Sequence, residues 1–176
     1  IDVIVIRHSM SGTPIYLARN IACSVVNAGD GMHEHPTQAL LDIYTLRERL
    51  GELRGRRIVI VGDIAHSRVA RSNIWGLTKL GAHVTVVGPT TLIPRDIEQM
   101  GVAVTYDLPA ALEQADAVNM LRIQREREQA TLFPSLREYA KLFGLNRERM
   151  ERLSHNLIVM HPGPINRGIE LSVSVA

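Results

Sequence analysis

Short β-branched runs alternate with helix-period segments along almost all of the 176-residue chain, and this alternation constrains the fold more than any other feature. Residues 2–6, 22–26, 57–61, 83–87, 102–105, 116–121 and 157–160 read as strands. Between them, residues 11–20, 36–50, 94–100 and 109–114 read as helical. A further helix follows 61–68, with Val69, Ala70, Ile74, Leu77 and Leu80 as its apolar face. Residues 126–152 are polar and charged, with one helix expected near 147–153. Strands that regularly alternate with helices specify an α/β protein with a mostly parallel sheet. The stretch 51–56 carries two glycines and several charges, so a boundary is expected there. Two Rossmann-like, parallel-sheet α/β domains result, residues 1–50 and residues 51–176. The first is incomplete here, because a strand-like run already opens the chain without Met. The chain stops soon after a strand and loop, and is therefore expected to be part of a longer enzyme.

In parallel sheets ligands sit outside the carboxyl ends of the strands. Four such ends carry related polar residues: Arg7 and His8, residues 33–38, Arg68, and Arg122 with Gln124. The stretch HEHPTQALLD (33–42) places Pro36 at the first turn of a helix, where its missing N–H costs nothing. Ala39, Leu40, Ile43 and Tyr44 then supply an apolar stripe. His35 falls at or near the N-cap, beside unpaired backbone N–H groups that suit a phosphate, carboxylate or carbonyl oxygen. An isolated His-x-His is more often a polar turn, and each arginine alone reads as a solvated charge. Gathered at one sheet edge, three guanidinium forks instead suit a ligand bearing several negative charges.

Other chemistries fit less well. The loop after 57–61 reads Gly62-Asp-Ile-Ala-His-Ser-Arg68, without the glycine triplet of a dinucleotide site, and there is no Walker lysine. No Gly-x-Ser-x-Gly elbow exists, and Cys23 lies in an apolar run that reads as a buried strand thiol. No Cys/His spacing resembles a zinc site, so neither metal nor organic cofactor is expected. Catalysis would rest on orientation and on stabilising a developing oxyanion. Net charge is only +2 and aromatics are few, which argues against nucleic acid as a partner. No run is apolar enough to span a bilayer and no signal peptide opens the chain, so no membrane partner is expected and the protein is read as cytoplasmic.

Taken together, Arg7-His8, HPTQALLD (35–42), VGDIAHSRVARS (61–72), LRIQRER (121–127) and HPGPINRG (161–168) resemble the catalytic chains of the aspartate carbamoyltransferase family, in order and over essentially the whole sequence. The resemblance implies the two-domain aspartate/ornithine carbamoyltransferase fold, with residues 1–50 the second part of a carbamoyl phosphate domain and 51–176 an aspartate domain. It implies that Arg7, His35, Gln38, Pro162 and Gly163 bind carbamoyl phosphate, with Arg7 and His35 acting on its carbonyl oxygen. Arg68, Arg122 and Gln124 would hold the carboxylates of aspartate. The product would be N-carbamoyl-aspartate, for pyrimidine synthesis. The sister family, ornithine carbamoyltransferase, carries a cysteine in the loop matching residues 161–164, where this chain has glycine. A homotrimer with shared active sites is implied, with regulatory chains or a dihydroorotase as further partners. The family's Ser-Thr-Arg-Thr loop, the Ser/Lys loop lent by a neighbouring subunit and the closing C-terminal helices have no counterpart in these residues, so residues 1–176 alone are expected to be nearly inactive. A silent scaffold domain, the competing reading, would usually have lost the arginines and histidine present here. His66 is left without a role.

Overall fold

The computed structural model describes residues 1–123, 135–153 and 155–175. Two parallel sheets form. In the smaller one, β1 (Val3–His8) pairs with β2 (Ser24–Asp30) across the helix α1 (Thr13–Asn20). The helix α2 (Pro36–Leu50) follows and stops at Gly51, whose φ of 75° only glycine adopts readily. The larger sheet comprises β3 (Arg57–Val61), β4 (His83–Val87), β5 (Ala103–Thr105), β6 (Ala117–Met120) and β7 (Ile158–Met160). Its order is β5-β4-β3-β6-β7, all parallel. The chain winds outward from β3 to β5 and then returns to the other side of β3, leaving a switch point between β3 and β6.

Alternation along β3 sends Ile58 and Ile60 to one face and Val59 and Val61 to the other. The first face is covered by α3 (Arg68–Lys79) through Ile74 and Leu77, and also by Leu46 of α2. On the second face lie α4 (Leu108–Leu112) and α5 (Leu136–Phe143), with Tyr139 and Phe143 buried and α6 (Arg147–Glu151) beyond. Thus α2 grows from the small sheet yet packs on the large one.

Several expectations need correction. The strand expected at 22–26 runs on as β2 through residues 27–30, since Asp30 still pairs with His8 and Gly29 absorbs a φ of 117°. Cys23 lies in a bend before β2 and is only half-buried. Arg68 opens α3 instead of ending a loop, behind Ser67, whose Oγ accepts from the Ala70 N–H. On α2 the inward residues are Ala39, Asp42 and Leu46, while Leu40 and Tyr44 are exposed. Leu80 is likewise exposed at the cap of α3. The helix α5 went unrecognised within a stretch read as merely polar. Among the described residues no helix is long and apolar enough to cross a membrane.

Leu46 is fully enclosed by the larger core, so Leu46→Ala should cost about 2–5 kcal/mol in transfer and cavity energy. Urea denaturation would measure it; a loss under about 1 kcal/mol would mean that α2 is not anchored by this face.

Candidate functional site

The carboxyl ends of both sheets open onto one cavity of about 200 Å³. Arg7 reaches it from the end of β1, and His35 and Gln38 from the start of α2. Asp63, His66 and Ser67 follow β3, Arg68 and Val69 begin α3, Arg122 follows β6, and residues 162–164 follow β7. Seven of the eight residues predicted from sequence therefore line a single space. Gln124, the eighth, lies outside the described residues.

Each is held by identifiable local chemistry. The run before α2 is organised by Asp30, which has no exposed surface. Its carboxylate accepts from Gly12 N at 2.7 Å, Asn27 Nδ2 at 3.0 Å and Glu34 N at 3.1 Å, and pairs with His33 Nδ1 at 3.0 Å. Burial works to raise its pKa, but these bonds prevail and hold it below the ordinary carboxylate value. His35 is the N-cap of α2 without using its ring to cap. Its backbone N–H donates to Ser72 Oγ at 2.9 Å, and that hydroxyl bonds Glu34. The imidazole is thereby left to the cavity, with Nδ1 3.2 Å from Thr37 Oγ1. Burial first, then the positive charges of Arg68 and Arg7, depress the pKa of His35, so the ring is neutral at pH 7.

Arg68 is 6% exposed and lies across the backbone of β2. A Cβ on Gly29 would come within 2.9 Å of its Cζ, and one guanidinium N–H donates to Gly31 O at 3.2 Å. Glycine at 29 is thus required by the arginine as well as by its own φ. Arg122 leaves β6 where Ile123 is fastened on both sides. Its N–H donates to the buried Glu170 at 2.7 Å, and its carbonyl accepts from Asn166 Nδ2 at 2.9 Å. In the loop after β7, Gly163 N donates to His161 Nδ1 at 2.8 Å. Sequence reasoning missed Asp63, whose carboxylate lies 2.9 and 3.0 Å from His66 Nδ1 and accepts from the His66 N–H. The three-residue spacing across a post-strand turn was the available signal.

Three guanidiniums, a neutral imidazole, a side-chain amide and a proline-glycine loop at a sheet switch point define an α/β protein built to hold a small polyanion. The model for the aspartate/ornithine carbamoyltransferase Asp/Orn binding domain matches residues 54–176, and that for the carbamoyl-P binding domain matches residues 1–48. The chain belongs to the aspartate/ornithine carbamoyltransferase family. It is 62% identical over 175 residues to the aspartate carbamoyltransferase catalytic subunit of Halothermothrix orenii, covering 99% of this chain and 56% of that one. Against the same subunit of Desulforamulus reducens it is 61% identical over 176 residues, covering 100% and 56%. The chain therefore spans a little over half the length of these relatives. The structure is similar to aspartate transcarbamoylase of Trypanosoma cruzi solved with N-(phosphonacetyl)-L-aspartic acid, at a TM-score of 0.82 and 32% identity over 98% of this chain and 57% of that one. Ornithine carbamoyltransferase of Pyrococcus furiosus is similar at a TM-score of 0.83 and 26% identity, covering 99% and 58%.

A titration of the His35 ring followed by NMR should give a midpoint below 6.5, moving upward in Arg7→Gln as one positive neighbour is lost. A midpoint at or above 6.5 in the wild-type protein would contradict the electrostatics described above.

Proposed function

We propose that the full-length protein transfers the carbamoyl group of carbamoyl phosphate to the amine of L-aspartate, giving N-carbamoyl-L-aspartate and phosphate for pyrimidine synthesis. The observation that carries this reading is the shared cavity, lined together by Arg7, His35, Gln38, Arg68 and Arg122. On this reading residues 1–50 are part of the carbamoyl phosphate domain and residues 51–176 the aspartate domain, in line with the separate sheets and family-model matches.

Carbamoyl phosphate sits against Arg7, His35, Gln38 and the backbone of Pro162 and Gly163. Arg7 and the neutral His35 donate to the carbonyl oxygen as it gains charge, which favours the tetrahedral intermediate over the planar substrate. Arg68, Arg122 and Gln124 hold the two carboxylates of aspartate, so that the amine meets the carbamoyl carbon at close range. The C–N bond forms, the C–O bond to phosphate breaks, phosphate departs with that electron pair, and the surplus proton of the amine passes to the departing phosphate oxygen. No covalent enzyme intermediate is required. Aspartate is favoured over ornithine because the described lining offers guanidiniums for a second carboxylate. Its carboxylate, Asp63, is already turned onto His66. The names of the relatives at about 60% identity support the carbamoyl transfer through kinship, and a cytoplasmic homotrimer with shared active sites completes the reading. Regulatory chains or a dihydroorotase are further partners consistent with it.

The assay is carbamoyl transfer by the chain extended to its natural ends, with aspartate and ornithine offered in parallel. Product should form with aspartate only. Product with ornithine would reassign the acceptor, and a folded protein inactive with both amines would favour a silent scaffold domain.

Arg122→Ala should raise the aspartate KM at least about 30-fold and lower turnover, because a desolvated carboxylate loses its charged partner. Arg19→Ala, on the exposed side of α1, should stay within about twofold of wild type on the small scale of surface changes. Unchanged aspartate kinetics in Arg122→Ala would remove this residue from the site.

A further inference from the structure

Asp42 is a charged residue on the inward face of α2, between Ala39 and Leu46, and it is only 5% exposed. Packing does not call for it, since an apolar side chain there would complete the face and avoid the cost of burying charge. What surrounds it is a set of three side-chain amides from three elements. Gln38 Nε2, one turn earlier on α2, donates to Oδ1 at 2.9 Å. Asn73 Nδ2 of α3 donates to Oδ2 at 2.6 Å, and Asn119 Nδ2 of β6 donates to the same oxygen at 3.1 Å. Both asparagines are themselves buried.

A carboxylate accepts and never donates, so it fixes the polarity of every amide that meets it. The NH₂ end of Gln38 is committed to Asp42. Its other end, the carbonyl Oε1, is therefore the one left to the cavity that Gln38 lines. This matters for a carbamoyl group, which has a carbonyl oxygen on one side and an amino group of nearly the same size on the other. The donors Arg7 and His35 suit the oxygen, and an acceptor at Gln38 suits the amino group. Turned around, the ligand would set oxygen against oxygen at Gln38 and N–H against donors at Arg7 and His35. Were Gln38 free to rotate its amide, that distinction would vanish.

We propose that Asp42 is a positioning residue that sets the amide polarity of Gln38, and through it the orientation in which the carbamoyl group is bound. The inference rests on the carbamoyl-transfer reading above. Asp42 touches no substrate and acts only through Gln38. Burial holds its carboxyl pKa above the ordinary carboxylate value, and the amide bonds from Asn73, Gln38 and Asn119 offset part of that rise.

A merely structural role, pinning α2 to α3 and β6, predicts that all ligands weaken together when Asp42 is changed. The positioning role predicts loss of discrimination between carbamoyl phosphate and acetyl phosphate, in which a methyl replaces the amino group. The test uses the full-length protein, with the KM for carbamoyl phosphate at saturating aspartate and the inhibition constant of acetyl phosphate measured side by side. Asp42→Asn lets Gln38 turn its amide, and should raise the carbamoyl phosphate KM about tenfold with acetyl phosphate changed less than about twofold, the scale of one hydrogen bond. Gln38→Leu should show the same selective loss, and Asp42→Asn should add nothing to it in that background. Parallel weakening of both ligands, or an unmoved ratio, would overturn the proposal. If Asp42→Asn does not fold, Gln38→Leu decides: loss confined to carbamoyl phosphate upholds the polarity, and equal loss refutes it. Absence of wild-type transfer to aspartate would instead refute the underlying reading, which separates the two failures.

Discussion

Parallel pairing makes every strand of a sheet finish at the same edge, and the site depends on that constraint. The registers of β3 with β4 and β6, and of β6 with β7, place the residues after Val61, Met120 and Met160 side by side. Because the larger sheet reverses its winding between β3 and β6, the loops after those two strands part and leave a crevice. It is the packing of α2, on the same face as α3, that brings the carboxyl ends of β1 and β2 to the same crevice. A cavity with one wall from each sheet follows from two pairings and one helix contact.

Behind that cavity stand three buried carboxylates, each one step removed from a residue that lines it. Asp30 holds the run leading to His35, Asp42 holds Gln38, and Glu170 holds the backbone beside Arg122. Burying a carboxylate costs several kcal/mol unless donors replace its water. All three gather several N–H groups from separate segments, and a bond to a charged acceptor is stronger than a neutral one. The desolvation cost turns into geometric control, because an acceptor with both oxygens engaged leaves its neighbours few alternative positions. His35, Gln38 and Arg122 are thus positioned by anions that stand behind the cavity rather than in it.

How much of this was legible in the sequence follows the same physics. Strands β3 and β4 and helix α2 fall on the residues that hydrophobic period and the Pro36 and Gly51 signals assign. Seven cavity residues were found because strand ends are readable and the sheet brings strand ends together. The misses are residues whose role depends on a distant partner. Asp42 drew no reading from the sequence, since its partners Asn73 and Asn119 lie 31 and 77 positions away. Gly29 lay beyond the strand expected at 22–26, because the side chain lying across it comes from Arg68. The extension of β2 to Asp30 stayed hidden for the same reason, as pairing with His8 overrides the turn-forming composition of 27–30.

The electrostatics of the cavity set a last condition on its chemistry. Arg7 and Arg68 are the charges that, after burial, keep His35 neutral. A neutral imidazole still donates one N–H, so the site gains a donor for a developing oxyanion without a fourth cation to solvate. An anion entering the cavity opposes those charges, since a negative charge beside the ring raises its proton affinity. Proton affinity at His35 and anion affinity at the arginines are therefore linked, each strengthening the other by the same free energy. A tetrahedral oxyanion carries more local charge than the substrate carbonyl. On the proposed carbamoyl-transfer reading the linkage acts hardest at that oxyanion, so that a pocket of fixed positive charges would favour the transition state more than the ground state.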